Sequence, residues 1–413
     1  MAEVKPFLCI RPEDKVAHRV AALPYDVYNR TEAKQEIERE PMSFLKVDRA
    51  ETNFPEEVDT YDPRVYAKAR ELLTKMQEEK ILITEEKECY YVYELIMNGR
   101  AQTGLVACTS IDDYQNNVIK KHENTREDKE QDRINHVNCC NMHTGPIFLA
   151  YRAHKEISEV ISAAKKEAPI YQFVTPDAIN HTVWRIDRTD RILTIRNAFE
   201  EIDRIYIADG HHRAASAVKV GLKRRQENPG YTGMEEFNYF LSVLFPHDQL
   251  MIMPYNRAVK DLGGLSQEEY LSRLKDHFEI NFIGEAPFAP DQKATFGMYL
   301  KDGWYCLTAK EELRAITDPV ASLDVSLLQD YLLGPVLGIE DPRVDKRIDF
   351  IGGIRGLKEL ECRVKEDMTV AFSMYPTSIE ELFAVSDAGK LMPPKSTWFE
   401  PKLRSGLFLH KLS

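Results

Sequence analysis

The chain has no apolar run near the roughly 18 residues that cross a bilayer as a helix, so no membrane-spanning helix is expected. Its start, MAEVKPFLCIRPEDK, mixes charge and proline and has no basic head followed by an apolar core. A signal peptide is therefore not expected, and a cytoplasmic location is. Cysteine is sparse, with seven residues in 413 and no CxxC pair. In a reducing compartment these read as small buried hydrophobes rather than a disulfide framework. Glycine (19) and proline (21) are too few for a collagen-like chain or a long flexible linker. Basic residues are outnumbered, 55 Lys and Arg against 67 Asp and Glu, for a net charge of −12. That excess repels phosphate backbones and disfavours nonspecific nucleic-acid binding, while a local basic cluster can still hold a small anion. P-loop, GxGxxG, GxSxG and HExxH motifs are all missing.

What is present is an ordinary globular composition, 43% apolar and 30% charged, long enough for two to three domains. Helical spacing is expected over about 31–39 and 63–80, the latter through Val65, Ala69, Leu72, Leu73 and Met76. CYYVYELIM, then Asn98-Gly99, then RAQTGLVACTS reads as a hairpin with a type I′ turn. A polar helix over 124–141, a buried strand over 146–151, a helix over 155–166 and strands near 171–174 and 181–187 follow. Residues 204–208 form a short strand that runs into a helix ending near 225, and 236–245 is another buried strand. The prolines near 392–399 dictate a rigid loop before a last strand at 406–410. The class expected is α+β (mixed α/β). The divisions are a core over 1–260, an α+β accessory unit over 261–390, and a returning loop and strand over 391–413; the role of 266–385 is open.

The stretch IYIADGHHRAAS, 205–216, concentrates chemistry. A strand delivers Asp209 to Gly210, and a helix starts at once, exposing unpaired backbone N–H groups and a partial positive charge. Arg213 offers a fork suited to phosphate, and His211 and His212 add donors that strengthen with protonation. Asp209 could hold a divalent ion or position a hydroxyl; read alone, it would only cap the helix. His122-Glu123 precedes the polar helix, and Glu123 could serve as a general base or merely sit near a helix start. Pro394-Lys395-Ser396-Thr397 projects a lysine and two hydroxyls from a stiff backbone, suited to a small carboxylate or phosphate and equally to an ordinary basic loop. His136, Cys139, Cys140 and His143 share a helical face and are metal-type ligands, although adjacent cysteines suit a tetrahedral site badly.

Ile207-Ala208-Asp209-Gly210-His211-His212-Arg213 resembles the signature of the ParB/sulfiredoxin-like superfamily, above all its nucleotide-dependent free serine kinases. Their His-Glu pair lies upstream, like His122-Glu123, and a Pro-Lys-[Ser/Thr]-Thr segment lies near their C-terminus, like 394–397. Over nearly its whole length the chain also resembles a large bacterial and archaeal domain-of-unknown-function family, through Leu23-Pro24-Tyr25-Asp26-Val27, residues 122–125, the 209–213 loop, Leu323–Leu328 and Met392–Thr397.

The resemblance implies a ParB/sulfiredoxin-like nucleotide-binding core with large insertions and a C-terminal α+β unit. It implies Glu123 as catalytic base and Asp209 beside it. It assigns Gly210, His211, His212 and Arg213 to the nucleotide phosphates, and His122, Lys395, Ser396 and Thr397 to the substrate. ATP, or ADP in its place, would be the donor with Mg²⁺, and free serine or a similar hydroxy amino acid the acceptor. The sulfiredoxin cysteine is replaced here by His211, and no helix-turn-helix of the chromosome-partitioning members is visible. Two other readings stand beside the kinase: a nucleotide-binding or hydrolysing regulatory protein, and a metal-dependent phosphohydrolase using Asp209, His211 and His212. The kinase reading expects its three motifs around one cleft.

Overall fold

The structure, a computed structural model, describes residues 1–413. The chain forms two compact units, Met1–Leu250 with Pro401–Ser413, and Met251–Glu400. The boundaries expected at 260/261 and 390/391 are thus displaced, for a reason visible in the strands. Tyr255–Val259 is an interior strand of the second unit's sheet, and Trp398–Phe399 pairs with Ile252–Met253. Residues 391–400 therefore stay with the second unit, and only Pro401–Ser413 returns to the first.

The fold is mixed α/β, as expected. The first unit is built on a nine-stranded mixed sheet. Its order runs Ile119–Lys120, Ile205–Asp209, Ile147–Tyr151, Tyr239–Pro246, Arg100–Ser110, Tyr90–Met97, Asn180–Ile186, Tyr171–Val174, with Val4–Lys5 also pairing to Arg100–Ser110. Two neighbouring pairs are parallel, Ile205–Asp209 with Ile119–Lys120 and Tyr239–Pro246 with Ile147–Tyr151. The expected hairpin is present, and both Asn98 (φ +52°) and Gly99 (φ +78°) are left-handed, as a type I′ turn demands. Apolar residues of the central strands bury Ile157 and Ile161 of helix Lys155–Ala164 and Ala214, Ala217 and Val218 of helix His211–Glu227 in one cluster. Helix Thr189–Glu200, for which the sequence reading had no element, joins them through Ile195, Ala198 and Phe199.

A second cluster packs Phe44, Leu45, Leu73 and Met76 with Leu409. There the C-terminal strand Leu409–Lys411 pairs with both Cys9–Pro12 and Met142–His143. That strand begins later than the expected residue 406, because Gly406 turns the chain at φ +81°.

The second unit holds a six-stranded antiparallel sheet in the order Phe278–Gly284, Gly303–Ala309, Thr295–Leu300, Val370–Ser373, Tyr255–Val259, Ile348–Gly352. Helix Leu357–Glu366 packs on it through Leu360, against Ala258, Trp304, Ile351 and Ala371. Trp398–Phe399, expected as loop, is a short strand.

Gly406 ties the tail to the first unit, and its N–H donates to the Thr144 carbonyl. A Cβ there would run into Phe44, in a backbone region that L-residues avoid. Gly406→Ala should therefore cost about 2–4 kcal/mol from strain and overpacking, read as a lower urea midpoint of the first unit's transition.

Candidate functional site

The site follows from strand direction. Ile119 pairs with Ile205 and Lys120 with Tyr206 in a parallel ladder, so both strands leave the sheet at the same end. One continues into His122-Glu123 and the other into Asp209-Gly210. The antiparallel neighbour Ile147–Tyr151 brings its entry turn, Gly145-Pro146, to that end as well. A register shift between Ile207 and Asp209 loosens the ladder where Asp209 leaves it.

Gly210 sits at φ +94° and precedes the first turn of helix His211–Glu227 with no side-chain cap. Asp209 is therefore not the helix cap. Its Oδ1 accepts the Gly210 N–H at 2.8 Å, and its Oδ2 faces Lys402 Nζ at 3.1 Å. Burial opposes the charge on Asp209, but Lys402 and Arg213 overcome it and hold the carboxyl well below the usual range. Arg213 donates to the Pro146 carbonyl at 2.7 Å, which anchors its guanidinium over the loop. A Cβ on Gly210 would meet that guanidinium at 3.4 Å, so the glycine keeps the two in close approach.

The histidines differ from their sequence-based expectation. His122 and His211 are 2% and 6% exposed, with ring centroids 4.5 Å apart and edge to face. Burial pushes His122 down to about 4, against the pull of Asp209. Burial and the neighbouring His122 push His211 well below its ordinary value. Both are neutral at pH 7, so the positive charge at this loop comes from Arg213 and Lys402, not from protonated imidazoles. His211 Nε2 and His122 Nδ1 are buried without a hydrogen-bond partner. His212 takes a structural contact, its Nε2 accepting the Arg126 N–H at 3.0 Å. That bond ties the segment after Glu123 to the helix start. Glu123, with a side chain 48% exposed, lies with Oε2 3.7 Å from His211 Nδ1, open to a reactant from solvent.

The tertiary structure thus brings together His122, Glu123, Asp209, Gly210, His211, His212 and Arg213. Lys395, Ser396 and Thr397 belong to the second unit. There Lys395 adopts φ +58°, the Ser396 hydroxyl donates to the Pro393 carbonyl at 2.6 Å, and Thr377 Oγ1 donates to the Ser396 carbonyl at 2.9 Å. Two neighbours of the loop escaped the sequence reading. Lys402 carries no local signal beyond a preceding proline. Arg133, buried and paired with Asp132, stacks its guanidinium 4.0 Å from the Tyr25 ring and shares a narrow cleft with Arg213, His143 and Ser405. Tyr25 thereby places the Leu23–Val27 segment beside the site.

Of the metal-type residues, His136 Nε2 and Cys140 Sγ are 4.0 Å apart, while His143 turns away to bond His410 at 3.2 Å. The two pairs diverge because the helix ends at Cys140 and His143 lies on the following strand. No group of three or more His, Cys, Asp or Glu side chains is arranged to hold an ion. Asp209, the carboxylate considered for Mg²⁺, has one oxygen on the Gly210 N–H and the other beside Lys402, and so fits a direct metal contact poorly.

One sheet end of the mixed-sheet core carries a glycine-led helix start, two cations and a reachable carboxylate, an arrangement chemically suited to an anion. The chain belongs to the family described as Protein of unknown function (DUF1015), whose model matches residues 4–326. No curated protein matches it in sequence. Among solved structures it is similar to a free serine kinase in complex with AMP, at 17% identity and TM-score 0.35 over 76% of this chain and 92% of that one. A mutant free serine kinase in complex with ADP aligns at 16% and 0.36, over 75% and 93%. SbnI with a C-terminal truncation, from Staphylococcus aureus, aligns at 12% and 0.38, over 73% and 85%. With TM-scores below 0.5, these neighbours do not by themselves assign a chemistry to this chain.

Neutral burial of the two histidines sets a pH dependence. Unfolded, His122 regains its ordinary value near 6.5, so between about 6.5 and about 4 the unfolded chain binds more protons than the native one. Stability should fall as pH drops through that window. Urea midpoints at pH 7.5 and 5.0 should differ less in His122→Asn than in the parent protein, and His122 should show no imidazole titration above pH 5 by NMR.

Proposed function

We propose that the first unit binds ATP through the Asp209–Arg213 loop and transfers the γ-phosphoryl group to the hydroxyl of free L-serine, giving O-phospho-L-serine and ADP. The observation that supports this most is the shared sheet end. Parallel pairing puts a solvent-reachable carboxylate, Glu123, beside a phosphate-type helix start with Arg213 and Lys402. Phosphoryl transfer asks mainly for such positioning and charge stabilisation. The serine Oγ forms a bond to the γ-phosphorus as the bond to the β–γ bridging oxygen breaks, and ADP leaves with that oxygen. Glu123 takes the hydroxyl proton as the new bond makes it acidic.

Gly210 and the first-turn N–H groups meet the phosphates without a Cβ in the way. Arg213 and Lys402 neutralise the charge on the transferred group. Asp209 holds Lys402 in place. His211, neutral and with a free buried Nε2, offers a hydrogen bond without adding charge. Mg²⁺ bound along with the nucleotide would supply further charge neutralisation, and Asp209, engaged by the Gly210 N–H and by Lys402, would not be its ligand. Lys395, Ser396 and Thr397 belong to the second unit, and the transfer step is assigned to residues of the first unit alone.

Incubation of the full chain with ATP, Mg²⁺ and a panel of hydroxy amino acids should yield a new phosphate monoester by ³¹P NMR with serine. ATP loss without a serine-dependent product would replace the kinase reading with a nucleotide-hydrolysing one. Glu123→Gln should lower turnover about 10²–10⁴-fold with nucleotide binding kept. Arg213→Ala and Lys402→Met should each weaken nucleotide binding about tenfold or more, measured by calorimetric titration.

A further inference from the structure

The fold buries four arginines below one-tenth exposure, Arg11, Arg133, Arg257 and Arg404. Three have carboxylate partners: Arg11 pairs with Glu85 and Asp14, Arg133 with Asp132, and Arg404 with Asp177. Arg257, 3% exposed on the interior strand Tyr255–Val259 of the second unit, has none. Its guanidinium donates only to backbone carbonyls, those of Tyr255 and, at 3.0 Å, Lys395. It also lies 5.4 Å from the Phe350 ring. A buried cation without a counter-charge is costly, and burial pushes its basicity down. In a chain with a net charge of −12, carboxylates are plentiful, so the missing partner calls for an explanation.

Arg257 lines a cleft of about 350 Å³, within the size range of small-molecule sites. Val325, Leu333, Phe350, Pro393 and Pro394 give it apolar walls. Gln329 and Leu333 reach it from a single π-helical turn, Gln329–Leu333, that interrupts the end of helix Asp324–Leu328. Such turns recur at functional sites. Gln329 gives its amide N–H to the Ile339 carbonyl at 2.7 Å, which fixes its side chain. The remaining charged lining residues cannot neutralise the arginine well: Asp341 is forked onto Arg343, and Glu340 is exposed to water.

We propose that this cleft is a second, anion-binding site, in which Arg257 takes the carboxylate or phosphate of a small organic anion whose apolar or planar body packs on Phe350, Leu333 and the Pro393-Pro394 wall. The site lies wholly within the second unit and does not rest on the kinase reading. It accounts for two segments that reading leaves idle, Leu323–Leu328 and Met392–Pro394.

The test is calorimetric titration of the full chain carrying Arg213→Ala, which removes the other phosphate-type guanidinium, with phenyl phosphate, benzoate and inorganic phosphate at constant ionic strength. At least one aromatic anion should bind more tightly than inorganic phosphate, and the better of the two identifies the head group. Arg257→Met should weaken that binding at least tenfold. Phe350→Leu should weaken the aromatic anion severalfold and leave inorganic phosphate unchanged. Should Arg257→Met not fold, Arg257→Lys, which keeps the charge and loses the fork, should still weaken binding. Equal binding to the Arg257 variants and the parent, or no binding of any of the three anions, would overturn the proposal. Serine-dependent turnover of the unaltered protein is scored separately, so either proposal can fail alone.

Discussion

The candidate site depends on two residue pairs of parallel backbone. Ile119 against Ile205 and Lys120 against Tyr206 set the direction in which two distant segments leave the sheet. A parallel ladder sends both C-terminal ends the same way, so His122-Glu123 and Asp209-Gly210 emerge as neighbours although more than 80 residues separate them. The ladder is short, and burial on both sides supports it. Ile119, Ile205 and Ile207 all belong to the main apolar cluster.

Charge at this sheet end is arranged by burial. Taking an imidazole out of water penalises its protonated form, so His122 and His211 contribute shape and hydrogen bonding rather than charge. The cations that remain are the Arg213 guanidinium and the Lys402 ammonium, both set against the Asp209 carboxylate. Asp209 then has a double role: its negative charge keeps Lys402 close, and its other oxygen braces the glycine turn. The same logic distinguishes the buried arginines, where three paired guanidinium groups are structural and the unpaired one stands out.

Local elements were legible where the local signal is strong. The Asn98-Gly99 hairpin, the helix with apolar residues from Val65 to Met76, and the strand–glycine–helix passage through Asp209 all follow from turn chemistry and periodicity. Helix Thr189–Glu200 was not legible, since its threonines and isoleucines favour strand locally and its helical state rests on Ile195 and Phe199 reaching the core. Trp398–Phe399 looked like loop beside prolines and became a strand because Ile252–Met253 offers a partner. The unit boundaries moved for the same reason, as pairing partners far apart in the chain decide which unit a strand joins.

By itself the sequence determined which residues could do chemistry: a carboxylate after His122, a glycine that permits a left-handed turn, and an arginine in the first turn of a helix. These depend on side-chain identity and on backbone preferences that span a few residues. Only the tertiary structure decided that the histidines are neutral, that Lys402 reaches Asp209 from the far end of the chain, and that Arg257 has no carboxylate beside it. Each of those is a statement about burial or about a partner remote in sequence, and neither is encoded in local spacing.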